Sequence, residues 1–178
     1  MKTRVAALAA LAVLAAAPPA AAIDPPRWHF GGSLQFTQLW GGPTTAGFGA
    51  GMHGTFAIND MFQILARADV TAHPYARWVL AGGSLGAAYV VDVDRWVPWI
   101  GAAAGPLALI SVNPACGLSI AEPCSAFRLS LEVPFGLDYQ LTPRLAVGLG
   151  GRYQMILLGD VPWSTLSASA RVEVTWGR

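Results

Sequence analysis

Side chains able to do acid–base or nucleophilic chemistry are sparse in this chain. The histidines are His29, His53 and His73. None has a second His, Cys or acid beside it at the spacing a bound metal needs. His53 shares its parity with Thr55 and reads as polar lining, while His73-Pro74 reads as a loop. Ser167 and Ser169 share one face of a strand, with no His near them in sequence to act as base. There is no nucleophile elbow and no phosphate-binding loop. The run Gly148-Leu149-Gly150-Gly151 lies inside a strand pattern and reads as small wall residues. The sequence therefore predicts a non-enzymatic protein without metal or cofactor.

The remaining reactive pair is Cys116 and Cys124, with seven residues between them. What they do depends on the compartment, and the N-terminus bears on that. Lys2 and Arg4 precede an apolar run from Val5 to Ala17, Pro18-Pro19 breaks it, and Ala20-Ala21-Ala22 offers small residues for cleavage. This is the plan of a secretory signal peptide over 1–22. The run is short of the roughly 20 apolar residues of a retained membrane helix. Export into an oxidising compartment makes a Cys116–Cys124 disulfide the expected state.

Removing Lys2 and Arg4 leaves nine Arg and no Lys against ten acidic residues, a net charge of −1 on a single domain over 23–178. That balance offers no basic patch for nucleic acid. Mean hydropathy is +0.46, yet no long apolar helix follows the signal. High apolarity without a helical span fits a barrel that turns half its residues to lipid.

Period-two alternation dominates after the signal. From Phe127 to Leu141 the odd positions are apolar or aromatic. The even ones read Arg128, Ser130, Glu132, Pro134, Gly136, Asp138 and Gln140. After the turn Thr142-Pro143, a second strand sets Leu145, Val147, Leu149, Tyr153 and Met155 against Arg152 and Gln154. The last sets Leu166 to Trp176 against Thr165, Ser167, Ser169, Arg171 and Glu173. Earlier strands fall at 28–40, 45–58, 61–73, 77–91 and 96–112, and the third turns Arg67 and Asp69 to its polar face. The fourth and fifth, rich in Gly, Ala and Val, fit either facing, and Pro98 and Pro106 weaken the fifth. The sum is an all-β, eight-stranded antiparallel up-and-down transmembrane barrel.

Connections alternate in length. Asn59-Asp60, Asp92–Arg95 and Thr142-Pro143 are tight, whereas Gly41–Thr44, His73–Ala76, Asn113–Ala126 and Gly159–Trp163 lie on the other side. Outer-membrane barrels pair short periplasmic turns with longer outside loops. Aromatics gather at both strand ends. Trp28, Trp96, Tyr139 and Trp176 mark the turn side, and Trp40, Trp78 and Trp163 the loop side. Two such belts suit the two membrane interfaces. The inward face then carries Arg67, Asp69, Arg128, Glu132, Asp138, Arg152, Arg171 and Glu173, four of each sign. An eight-stranded interior is just wide enough for side chains to fill, and buried charges must pair. A packed salt-bridge core is expected rather than a conducting lumen. Inverting every strand would give a soluble barrel, but the belts and the absence of Lys from 23–178 argue against it.

The signal peptide, the phrase Gly136-Leu137-Asp138-Tyr139-Gln140-Leu141-Thr142-Pro143-Arg144, the following Gly148–Tyr153 and the terminal Val172-Glu173-Val174-Thr175-Trp176 carry a resemblance. The chain resembles the small bacterial outer-membrane β-barrel proteins of the OmpA/OmpX-like and OmpW-like kind. The resemblance implies residence in a Gram-negative outer membrane and contact with its lipid, including lipopolysaccharide. It also implies handling by the barrel assembly machinery. Members end on an aromatic residue, whereas here Gly177 and Arg178 follow Trp176. The implied role is structural or one of surface contact, with a small-solute pore or transporter as the alternative. Lipid A-modifying enzymes of similar size share the architecture only. No His-x-Ser pair sits on a lipid-facing strand, and the palmitoyltransferase's outer-loop catalytic group has no counterpart.

Overall fold

The computed structural model describes residues 28–40, 45–112, 125–157 and 163–176. Residues 1–22, Cys116 and Cys124 lie outside the described residues. Eight strands follow in chain order: β1 Trp28–Trp40, β2 Thr45–Ala57, β3 Phe62–His73, β4 Trp78–Val90, β5 Trp96–Ser111, β6 Ser125–Thr142, β7 Leu145–Leu157 and β8 Trp163–Trp176. Each pairs antiparallel with its neighbours, and β1 pairs with β8 from Trp28↔Trp176 to Trp40↔Ser164. The sheet is thus a closed barrel. Closure removes free edges, the condition for placing strands in lipid, where unpaired backbone groups have no water to bond. A strand of 13 residues such as β1 is about 43 Å long at roughly 3.3 Å per residue. Tilted by about 40°, it still exceeds an apolar band of about 25 Å.

Local chemistry explains the turns. Asn59 Oδ1 accepts from the backbone N–H of Met61 (2.9 Å) and Phe62 (2.8 Å), closing β2 onto β3. Asp94 adopts a positive φ of 59° between Val93 and Trp96, which exchange both backbone hydrogen bonds. Thr142 Oγ1 accepts from Arg144 N–H at 3.3 Å beside a register shift at Gln140/Thr142. The β3–β4 connection was expected among the longer loops. It is instead a tight turn over Pro74–Arg77, closed by Arg77 N–H to Pro74 O at 3.2 Å with Arg77 at φ 55°. His73, expected in a loop, is the last residue of β3 and is fully buried.

Burial alternates along the strands and fixes every facing, including β4 and β5. Leu80, Ala88 and Val90 of β4 point inward with Leu107 and Leu109 of β5. Leu85 and Ile100 point out. The outer wall is a continuous apolar surface in which Leu34, Met52 and Leu149 are about 70% exposed. Pro98 and Pro106 are accommodated within β5, but the ladders thin beside Pro106 and beside Pro134 of β6. β4–β5 pairing skips from Gly82↔Leu107 to Leu85↔Ala104, and β5–β6 pairing skips from Ile100↔Phe135 to Ala103↔Glu132. Pro106 and Pro134, which lack an N–H, adjoin these gaps.

Candidate functional site

The interior is stacked in layers. At mid-height, Arg152 projects from β7 and is 4% exposed. Its Nη1 donates to Asp69 Oδ1 (2.6 Å) and Glu132 Oε2 (3.1 Å), and its Nη2 to Asp69 Oδ2 (2.8 Å). This is the forked, two-bond pairing that a guanidinium makes with a carboxylate. Gln35 of β1 completes the network. Its Nε2 donates to Asp69 Oδ2 (3.1 Å) and Thr71 Oγ1 (3.0 Å). Arg67 adds an ion pair with Asp69 at 3.8 Å. One guanidinium therefore ties β3, β6 and β7 together through the barrel axis.

A second network lies toward the turn side. Glu173 of β8 accepts from His29 Nδ1 at 2.9 Å and from His53 Nε2 at 3.0 Å, and Arg171 contacts it from the same strand. Arg171 Nε also pairs with Asp138 Oδ1 at 3.0 Å, while its guanidinium stacks over the Trp99 ring, 4.6 Å from the centroid. Trp99 has room because residue 136 is glycine. A Cβ there would come within 2.6 Å of the indole.

Toward the loop side the polarity falls away. A hydroxyl and amide layer comes first, with Thr37 Oγ1 and Ser167 Oγ 2.9 Å apart and Thr165 Oγ1 donating to Gln154 Oε1 at 3.3 Å. Above it Leu39, Leu80, Leu107, Leu109 and Ile156 form a buried cluster, with Trp78 and Trp163 packed against it. This apolar seal closes the loop-side mouth.

Three of the expected positions are corrected. Trp78 and Trp163 were expected in the loop-side aromatic belt, but they share the inward parity of Leu80 and Thr165 and turn onto the seal. Arg128 was expected among the interior charges. It has the inward parity, but it sits near the loop-side end of β6 and is exposed. Its Nη1 donates to Phe127 O at 2.9 Å. At that height a guanidinium reaches water, so no carboxylate is needed. The packed interior thus holds Arg67, Arg152 and Arg171 with Asp69, Glu132, Asp138 and Glu173, and His29 and His53 stand on Glu173.

The turn-side belt is outward-facing. Trp28 packs on Phe56 (4.7 Å), Phe62 on Tyr89 (5.4 Å) and Trp96 on Tyr139 (4.7 Å), with Trp176 three-quarters exposed. Trp40 stands outward at the loop side. The alternation of β1 already placed Gln35 and Thr37 opposite Leu34 and Phe36, a legible signal for two network members. Trp99, Leu107 and Leu109 carry no such signal, since β5 is apolar on both faces.

Chemically, the site holds paired charges. Ser167 is bonded to Thr37, and Ser169 Oγ donates to Gly150 O at 3.4 Å, so neither serine meets a histidine. No metal-holding group of three or more His, Cys, Asp or Glu side chains occurs among the described residues. A turn-side cavity of about 50 Å³ touches His29, Thr55, Trp99, Asp138 and Glu173. A second of about 20 Å³ lies among Gln35, His53, Arg67, Arg152 and Arg171. The smaller suits about one water molecule, and Arg171 and Trp99 border both.

No protein-family model matches the sequence, and no curated protein matches it. Solved structures do. The Neisserial surface protein A superposes with a TM-score of 0.71 at 18% identity, over 85% of this chain and 99% of that one. The N-terminal β-barrel domain of Pseudomonas aeruginosa OprF gives 0.54 at 14%, over 82% and 97%. Ail, the attachment invasion locus protein of Yersinia pestis, gives 0.52 at 13%, over 86% and 100%. The chain has the fold of a small eight-stranded outer-membrane β-barrel. At these identities the likeness is one of fold. The barrel's interior chemistry stands on its own residues.

Proposed function

We propose that this chain is an exported, non-enzymatic barrel of a Gram-negative outer membrane with a structural or surface-contact role. The observation that carries the reading is the interior, where a paired ionic core lies under a buried apolar seal. A filled interior leaves the surfaces to do the work. In this reading residues 1–22 are a cleaved signal peptide, 23–178 the barrel domain, and Cys116–Cys124 a staple on the loop-side segment 113–124. The outer wall meets membrane lipid, including lipopolysaccharide, and the nascent chain meets the barrel assembly machinery. Ail has been solved with the heparin analogue sucrose octasulfate, which supports contact with surface ligands as the kind of role such a barrel performs.

Comparing unheated and boiled outer-membrane extracts on a denaturing gel tests the reading. It expects a mobility shift in the outer-membrane fraction and silence in planar bilayers at neutral pH. Steady conductance there would favour the small-solute pore, and a soluble periplasmic protein without a shift would end the reading. Cys116→Ser should leave the heat shift intact, because the strand ladders close without it. Loss of insertion in that variant would contradict the staple role.

A further inference from the structure

His73 takes no part in either ionic network. Its side chain is fully buried, and neither ring nitrogen has a hydrogen-bond partner. It points inward at the loop-side end of β3, level with Trp78 across the β3–β4 ladder, and Trp78 packs against the seal. The imidazole lies over Gly47 of β2 so closely that a Cβ at 47 would come within 2.7 Å of it. A glycine thus makes the space for this ring. The Thr45 backbone is the polar group beside the ring.

Among the described residues, the groups beside His73 are not titratable: Thr45 and Gly47 from β2, and Trp78 from β4. Along β3 itself, Asp69 is engaged by Arg152 and Gln35, and Arg67 pairs with Asp69. Across the barrel, Glu132 of β6 and Arg152 of β7 bond each other in the charged layer. At the loop side, Arg77 and Arg128 are exposed. Among the described residues no carboxylate is placed to receive a proton-bearing imidazole. A leucine or phenylalanine would serve a permanent seal better, since an unpartnered polar group in an apolar site is costly.

We propose that His73 makes the loop-side seal acid-sensitive: taking up a proton, it admits water through the seal to the polar interior. The inference rests on the closed-barrel reading. The sealed state accommodates the neutral ring, because an imidazolium there would be a buried charge with no carboxylate partner among the described residues. A hydrated state accommodates both forms. Acid therefore favours the hydrated state, and the ratio of hydrated to sealed barrels rises by at most about tenfold per pH unit below about 6.5, where a water-exposed imidazole gains its proton. His29 and His53, held by Glu173 at the other end, are not the sensor.

The test is conductance of the folded full barrel in planar bilayers at about pH 7.5 and about pH 5, with heat modifiability confirming that each variant has folded. Wild type is expected to be silent at the higher pH, with open events at least tenfold more frequent at the lower. His73→Phe should stay silent at both. His73→Gln, neutral and closer in shape, repeats the test should the phenylalanine variant not fold. His29→Asn with His53→Asn should keep the acid response. An acid response that survives in the folded His73 variants, or wild-type silence at both values, overturns the inference and leaves the closed barrel standing. Equal wild-type conductance at both values overturns the closed barrel itself.

Discussion

The two ends of the barrel interior solve the same packing problem with opposite chemistry. From mid-height to the turn side, space is filled by long ionised side chains that hold each other: Arg152 between Asp69 and Glu132, and Arg171 between Asp138 and Glu173. At the loop side, Leu39, Leu80, Leu107, Leu109 and Ile156 fill it without polar partners. The ionic end is fixed by directed bonds between named atoms, so removing one group strands the others. The apolar end is fixed by contact area, so removing a group leaves a hole whose effect depends on how far the neighbours relax. The first arrangement gives registration between strands. The second excludes water.

Arg152→Ala breaks the ionic end most. It leaves Asp69 and Glu132 buried without their shared cation, and a loss of about 3–5 kcal/mol is expected. Urea unfolding in detergent or lipid measures it. Adding Asp69→Asn should recover part of the loss, and no recovery would mean that Arg152 acts by packing alone. On the apolar side, Ile156→Ala should cost about 2–4 kcal/mol in the same assay. It should also raise solute leak through the mouth, whereas Arg152→Ala should leave the seal dry.

Gly136→Ala probes the seat of Trp99. The added methyl meets the indole at 2.6 Å, and a destabilisation of about 1–3 kcal/mol follows from overpacking. Pairing it with Trp99→Leu should remove the indole's share of that cost and leave the share due to the Leu149 carbonyl, 2.9 Å from the added methyl. Arg128→Ala marks the lower bound. An exposed guanidinium bonded only to its neighbour's carbonyl should shift stability by about 0.5 kcal/mol or less, and a larger loss would return Arg128 to the interior network.

How much of this the sequence discloses differs between strands. In β6, β7 and β8 polar and apolar residues alternate over most of their length, and both boundaries and facing can be read directly. Observed and expected limits differ there by a few residues at most. In β4 and β5 the elements are legible but their facing is not. Inward positions 82, 84 and 86 are Gly, Ser and Gly, and outward positions 81, 83 and 87 are Ala, Gly and Ala. Both faces are small, so parity carries no sign. The inner residues are small because the strands approach closely, as where a Cβ at Gly82 would come within 2.8 Å of the Leu107 side chain.

The seal is hidden for a related reason. Trp78, Leu80, Leu107 and Leu109 look like lipid-facing residues in a strand whose neighbours are also apolar, and only closure of the barrel shows them turned inward. His73 was masked by the proline after it, which suggests a loop. The turn is short enough that the strand runs on to residue 73.

The seam between β1 and β8 has a consequence for the order of events in folding. The first strand finds its last partner only when the far end of the chain arrives, so the contact that closes the ring has the largest sequence separation in the molecule. Such contacts are slow, because the intervening chain must be ordered before they contribute. Until then the growing sheet presents two raw edges, β1 and whichever strand is newest. Both are ladders of unpaired N–H and C=O groups that lipid cannot satisfy. Any helper that guides this chain into a bilayer must cover both edges at once, and release is timed by the arrival of Trp163–Trp176.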